Sequence, residues 1–141
     1  AGRLEAAAET LEKAASAAER VLGAEHVRTA VAWTNLAAVE AELDSVEAAE
    51  AHARKGLAAM AASSGPRSYR TGQVHSLLGS ILLQGGRAEE AAAELETAYG
   101  LCSGELGAED PRTEQIARRL AEVETARGDA QAAERWRRRA R

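Results

Sequence analysis

Apolar residues recur along this chain at three- and four-residue spacing, in stretches cut short by glycine, proline or a turn residue. Leu4, Ala7, Leu11, Ala14, Ala18 and Val21 make one such stripe, and the pattern predicts a helix over 3–22 that Gly23 ends. A second helix is expected over 28–43, with Ala30, Trp33, Leu36 and Ala37 facing a core. A third follows over 46–62, after a turn at Asp44-Ser45 where Ser45 is placed to cap it. Ser63-Ser64-Gly65-Pro66 breaks the pattern. Helices are then expected over 69–84, carrying Val74, Leu78, Ile81 and Leu82, and over 87–103, carrying Ala91, Leu95, Ala98 and Leu101. Two more cover 111–127 and 130–141, with Pro111 at a helix start, where its fixed φ and missing donor cost little.

The punctuation is periodic. Gly23, Gly65 and Gly107 lie 42 residues apart, as do Arg28, Arg70 and Arg112, and Thr29, Thr71 and Thr113. The short turns at Gly2, Asp44, Gly86 and Gly128 keep the same period of 42. A period of this size marks stacked helix pairs, each a long loop, a leading helix, a tight turn and a trailing helix. The chain reads as a single repeat domain over 1–141: an unpaired second helix of a truncated repeat at 3–22, then repeats at 28–62, 69–103 and 111–141. Small residues recur where facing helices approach, at Ala37, Gly79 and Ala121, at Ala7, Ala49, Ala91 and Ala133, and at Ala14, Gly56, Ala98 and Ala140. Leu36, Leu78 and Leu120 fill the space beside them. The recurring loop, best preserved in Leu106–Thr113 and Leu22–Thr29, is therefore a joint between helix pairs. Its threonines are expected to cap helices, and its arginines to bridge neighbouring repeats.

Composition narrows the class. Alanine dominates, phenylalanine is absent and the only prolines are Pro66 and Pro111, which favours helix and leaves little to build a sheet. The net charge of −4 is uneven: −6 over 1–50, −2 over 51–111 and +4 over 112–141. The basic end suits a helix C-terminus, and with no aromatic interleaving no nucleic-acid partner is expected. The lone Cys102 excludes an internal disulfide and is compatible with a reducing, cytoplasmic setting. No apolar run approaches the roughly 20 residues of a membrane span, and no signal segment opens the chain. The start at Ala1-Gly2 falls mid-pattern, which predicts a piece of a longer protein.

Leu36-Ala37 with Ala49 and Gly56, Leu78-Gly79 with Ala91 and Ala98, and Leu120-Ala121 with Ala133 and Ala140 resemble the tetratricopeptide repeat, which pairs a Leu-small dipeptide on the first helix with two spaced alanines on the second. The 42-residue period and the loop at Gly23, Gly65 and Gly107 are similar to the kinesin light chain type, as are Glu25-His26, Asn35-Leu36-Ala37 and Ala48-Ala49-Glu50-Ala51. The resemblance covers the whole chain and implies an all-α, right-handed superhelical solenoid of antiparallel helix pairs, about seven helices in all. A narrower resemblance lies in Tyr69-Arg70-Thr71, Ser76-Leu77-Leu78-Gly79, Gly85-Gly86-Arg87-Ala88-Glu89-Glu90-Ala91 and Tyr99. These are similar to repeats that follow the catalytic domain in many bacterial serine/threonine protein kinases. Sixteen arginines against Lys13 and Lys55 fit a GC-rich genome. None of the kinase catalytic motifs is present.

A solenoid of helix pairs offers a concave surface lined by its leading helices. The positions expected on it are Val31, Thr34, Asn35 and Ala38, then Gln73, Ser76, Ser80 and Gln84, then Gln115, Arg118, Arg119 and Glu122. Asn35 and the glutamines suit an extended peptide backbone, and Arg118 and Arg119 suit a carboxylate. No catalytic, metal or cofactor residues are expected. His26, His52 and His75 lack metal-ligand spacing, Cys102 lacks an activating histidine, and Glu89-Glu90 and Glu109-Asp110 sit where acids favour a helix start. Trp33 is expected in the core and Trp136 half exposed. The expected partner is a protein or peptide, with no membrane; the competing expectation is a homo-oligomer formed through exposed end helices.

Overall fold

The computed structural model describes residues 2–141. Among the described residues it holds seven helices and no strand: α1 (Gly2–Leu22), α2 (Val27–Glu42), α3 (Val46–Ser64), α4 (Tyr69–Gln84), α5 (Ala88–Leu106), α6 (Pro111–Ala126) and α7 (Ala130–Arg139). Each helix expected from the sequence is present. The largest shift is at the end of α5, which runs through Gly104 to Leu106 rather than stopping near Ser103. The true stop is Gly107, whose φ of 94° lies in the left-handed region while its N–H closes the helix on the Ser103 carbonyl at 3.0 Å.

The chain divides into two compact units, Ala1–Pro66 and Arg67–Arg141. In the first, α2 packs against both α1 and α3. Ala15 of α1 closes on Trp33 and Leu36 of α2, with Ala8, Leu11 and Ala32 packed around them. The stripe expected on α1 is thus turned by about one position: Ala14 is exposed, Ala15 is buried, and Val21 is 74% exposed. Ala14 matches Gly56 and Ala98 by register, and those two pack on the leading helix of their own pair. In α1 the face that packs on α2 is the next one round, Ala8–Leu11–Ala15.

In the second unit α4 pairs with α5, α5 with α6, and α6 with α7, and α4 also touches α6. Leu78, Ile81, Leu82, Leu95, Leu120 and Val123 are fully buried, each removing apolar surface worth about 1.5–3 kcal/mol from water. Gly79 sets the α4–α5 spacing. A Cβ there would lie 2.6 Å from Leu95 Cγ and 3.2 Å from the Ala91 carbonyl oxygen, so only hydrogen fits this approach.

The loops correct the expected capping scheme. His26, Ser68 and Asp110 are the N-caps of α2, α4 and α6, all with extended φ/ψ. The His26 Nδ1 and Asp110 carboxylate accept from the backbone N–H two residues on, and the Ser68 hydroxyl accepts from that of Thr71. Thr29, Thr71 and Thr113 sit one turn inside and are buried. Thr29 donates instead to the Gly23 carbonyl at 2.8 Å, tying the loop to the helix it starts. Ser45 occupies the N-cap position of α3 without a side-chain cap bond.

Candidate functional site

The periodic arginines behave differently at each joint. Arg112 grips Asp110 through Nε–Oδ1 and Nη2–Oδ2 contacts of 2.9 Å each, and its guanidinium lies 4.9 Å from the Tyr69 ring centre. It thereby ties the start of α6 to the start of α4, as a bridge between neighbouring repeats. These hydrogen bonds hold the Asp110 carboxyl below the usual carboxylate range and push the Arg112 guanidinium up. Arg70 is 6.0 Å from the same ring, and Arg28 is exposed at the start of α2.

In the first unit Asn35 and Val31 line an open cleft of about 280 Å³ together with Leu11, Val27, Arg28 and Ala32. Its character is apolar, with Val31 44% exposed and Asn35 as the hydrogen-bonding amide. Thr34 is turned the other way: its hydroxyl donates to the Ala30 carbonyl at 2.7 Å and lies against Gly56 of α3. Ala38 is half-buried and outside the cleft.

In the second unit all eight expected surface residues come together in two clefts. The larger, about 650 Å³, is lined by Ser80, Gln84, Gln115, Arg118, Arg119 and Glu122, over a floor that includes Leu83 and Leu95. The smaller, about 220 Å³, is lined by Gln73, Ser76, Arg112, Gln115 and Arg119. Gln115 and Arg119 belong to both. Ser76 is buried, and its hydroxyl accepts from Arg119 Nη1 at 2.6 Å. Arg118 diverges from Arg119, reaching Glu114 at 3.4 Å and the Ala140 carbonyl at 3.5 Å. Pro111, Leu77 and Ile116, together with Arg112, are cleft residues that the expected set lacked. The period of 42 gave a signal for Arg112, since Arg28 stands in the same register beside Asn35.

The remaining candidate chemistry is structural. His52 Nδ1 meets the buried Glu40 carboxylate at 2.7 Å and stacks on Trp33, with centroids 5.1 Å apart. His75 Nδ1 meets Glu94 at 2.6 Å between α4 and α5. Cys102 is fully buried and its thiol is pushed up to about 11, chiefly by burial. Among the described residues no cluster of His, Cys, Asp and Glu has metal-binding geometry, and no helix is long and apolar enough to cross a membrane.

Antiparallel helix pairs with Leu-small packing, seven helices in order and no strand among the described residues, define a helical-repeat protein. The tetratricopeptide repeat family model matches residues 1–62 and 70–141, and the chain belongs to that family. Its repeats are a non-catalytic fold that mediates protein–protein interaction. Among solved structures the chain is similar to BtubC (BKLC) from P. vanneervenii, with 28% sequence identity and a TM-score of 0.89. That likeness covers 99% of this chain and 56% of the other, so this chain spans little more than half of its structural relative. A comparison with curated proteins found no match.

Proposed function

We propose that this chain is a non-catalytic scaffold that captures an extended peptide or a partner helix of another protein on its leading-helix clefts. The observation that carries the reading is the convergence of Gln73, Gln84, Gln115, Arg118 and Arg119 around two adjoining clefts of the second unit. Amide and guanidinium groups placed over an apolar floor offer donors and acceptors for a peptide backbone without any group suited to cleave it. Asn35 offers the same chemistry over an apolar cleft in the first unit. The narrower sequence resemblance supports a cytoplasmic, regulatory role within a larger bacterial protein such as a serine/threonine kinase, the repeats positioning a target for the attached domain. The kinesin light chain type of repeat, with its period of 42, belongs to the same reading.

A random peptide display library selected on the purified chain tests this. Selected peptides are expected to bind the parent and to lose binding when Gln115→Tyr fills both clefts. Peptides that bind this variant as well as the parent would move the site elsewhere. A second reading, self-association, is favoured by the exposed Val21 and Leu22 on α1. It requires a sedimentation coefficient that rises with protein concentration and falls back in Val21→Ser; a strict monomer at high concentration removes it.

A further inference from the structure

Five of the last seven residues are arginine, and the fold gathers them around one short helix. α7 packs on α6 and spends its apolar stripe there, with Ala132, Ala133 and, at its end, Ala140 buried. The half-buried Trp136 meets Tyr99 of α5 edge-on, with ring centroids 5.0 Å apart. Asp129 caps the helix start, accepting from the Ala132 N–H at 2.9 Å. The helix is therefore fixed, and what it presents outward is charge. Arg135, Arg137, Arg138 and Arg139 are exposed and leave it over roughly half of its circumference. Arg141, also exposed, follows. Glu134 is the one acid over 130–141, and Arg137 and Arg138 share it at 3.6 and 3.4 Å. Among the described residues Arg135, Arg139 and Arg141 have no side-chain carboxylate within ion-pairing distance.

We infer that the outer face of α7 docks on an anionic lipid surface, its guanidinium groups meeting headgroup phosphates. A guanidinium donates side by side to two phosphate oxygens, and a cluster of about four to eight basic residues on a helix holds a protein at an anionic leaflet. The spread of directions selects the partner. Headgroups form a laterally mobile sheet, so arginines that diverge at one level each find a phosphate. A single acidic peptide strand meets only those in one row. A nucleic-acid strand would add base stacking, but Arg139 lies 4.6 Å from the Trp136 ring centre and 5.7 Å from that of Tyr99, over the rings a base would need. With the apolar stripe buried, the contact is adsorption at headgroup level. It needs no membrane-spanning helix, and none is present among the described residues. Arg135 and Arg138 lie outside the clefts of α4 and α6, so a captured peptide and a lipid surface can be held at once.

Co-sedimentation of the full chain with sucrose-loaded vesicles tests this. One set is phosphatidylcholine alone, and the other contains about one-third phosphatidylglycerol. The chain is expected to pellet with the second set only, and to be released as salt screens the charge. Arg135→Ser with Arg138→Ser should weaken binding about twentyfold, each arginine near an anionic surface contributing about fivefold. Arg3→Ser with Arg20→Ser makes the same change in net charge at exposed positions of α1 and should leave binding within about twofold of the parent. Glu134→Gln removes the acid of the patch and should tighten binding about fivefold, which keeps the test decisive if the double variant loses helix. No preference for the anionic vesicles, or equal loss in the α1 variant, overturns the lipid surface. If polyglutamate or an oligothymidine strand strips the chain from anionic vesicles at equal molar charge, the partner is an acidic protein or a nucleic acid, and the lipid surface is likewise overturned.

Discussion

His75 and Glu94 join α4 to α5 through a 2.6 Å contact, in the same register that Trp33 and His52 hold as a ring stack between α2 and α3. The period of 42 keeps the meeting point and exchanges the chemistry across it. Both His75 and Glu94 are mostly shielded, with side-chain exposures of 19% and 24%, so their contact exceeds that of a surface pair. A double-mutant cycle with His75→Ala and Glu94→Ala, read by urea denaturation, should give a coupling of about 1 kcal/mol. A coupling near zero would make the contact incidental.

Close approach at Gly79 gives a second expectation. Gly79→Ala must displace Leu95 or separate α4 from α5 and should cost about 1–3 kcal/mol. Gly100 sits in α5 with open space where a Cβ would go, so Gly100→Ala should stabilise by about 1 kcal/mol through helix propensity alone. Thermal melts of the two variants should move in opposite directions.

The Asp110–Arg112 pair sets a pH dependence with a definite sign. The Asp110 carboxyl is held below its ordinary value of 3.8 in the folded chain. Its stabilisation is therefore present above that value and is lost as pH falls through the lower, folded value. Asp110→Asn should flatten the acid limb of the stability curve below about pH 4 while leaving the neutral region with the same slope. A parent and variant with parallel acid limbs would show that the cap carries no such linkage.

Burial of Cys102 gives a kinetic readout of the second unit. Its thiol, raised to about 11, is protonated and enclosed at pH 8, so a disulfide reagent should label it only as fast as the surrounding helices open. Labelling should accelerate in Gly79→Ala and slow in Gly100→Ala. Immediate stoichiometric labelling of the folded parent would contradict the burial.

Much of this architecture was legible because punctuation and period agree. Gly23, Gly65 and Gly107 mark the joints, and Leu36, Leu78 and Leu120 mark the buried side of each leading helix. What escaped depends on three-dimensional choice between near neighbours. Ala14 and Ala15 are equally apolar, and only the packing of α1 on α2 selects Ala15. Thr29 and His26 are both able to cap, and the backbone conformation selects His26. At the clefts, helical spacing placed Gln73 through Glu122 on one side of their helices but gave no sign that Thr34 would turn toward α3, or that Arg118 and Arg119 would part. Those outcomes depend on rotamers and on partners distant in sequence, which spacing does not encode.

Capture on the leading-helix clefts is tested most directly by binding of a library-selected peptide to the parent chain and to the Gln115→Ala, Arg118→Ala double variant, both residues lining the larger cleft of the second unit. If the clefts hold the ligand, removing one amide and one charged donor should weaken binding about tenfold or more at unchanged thermal stability. Unchanged affinity in the folded double variant would contradict the account.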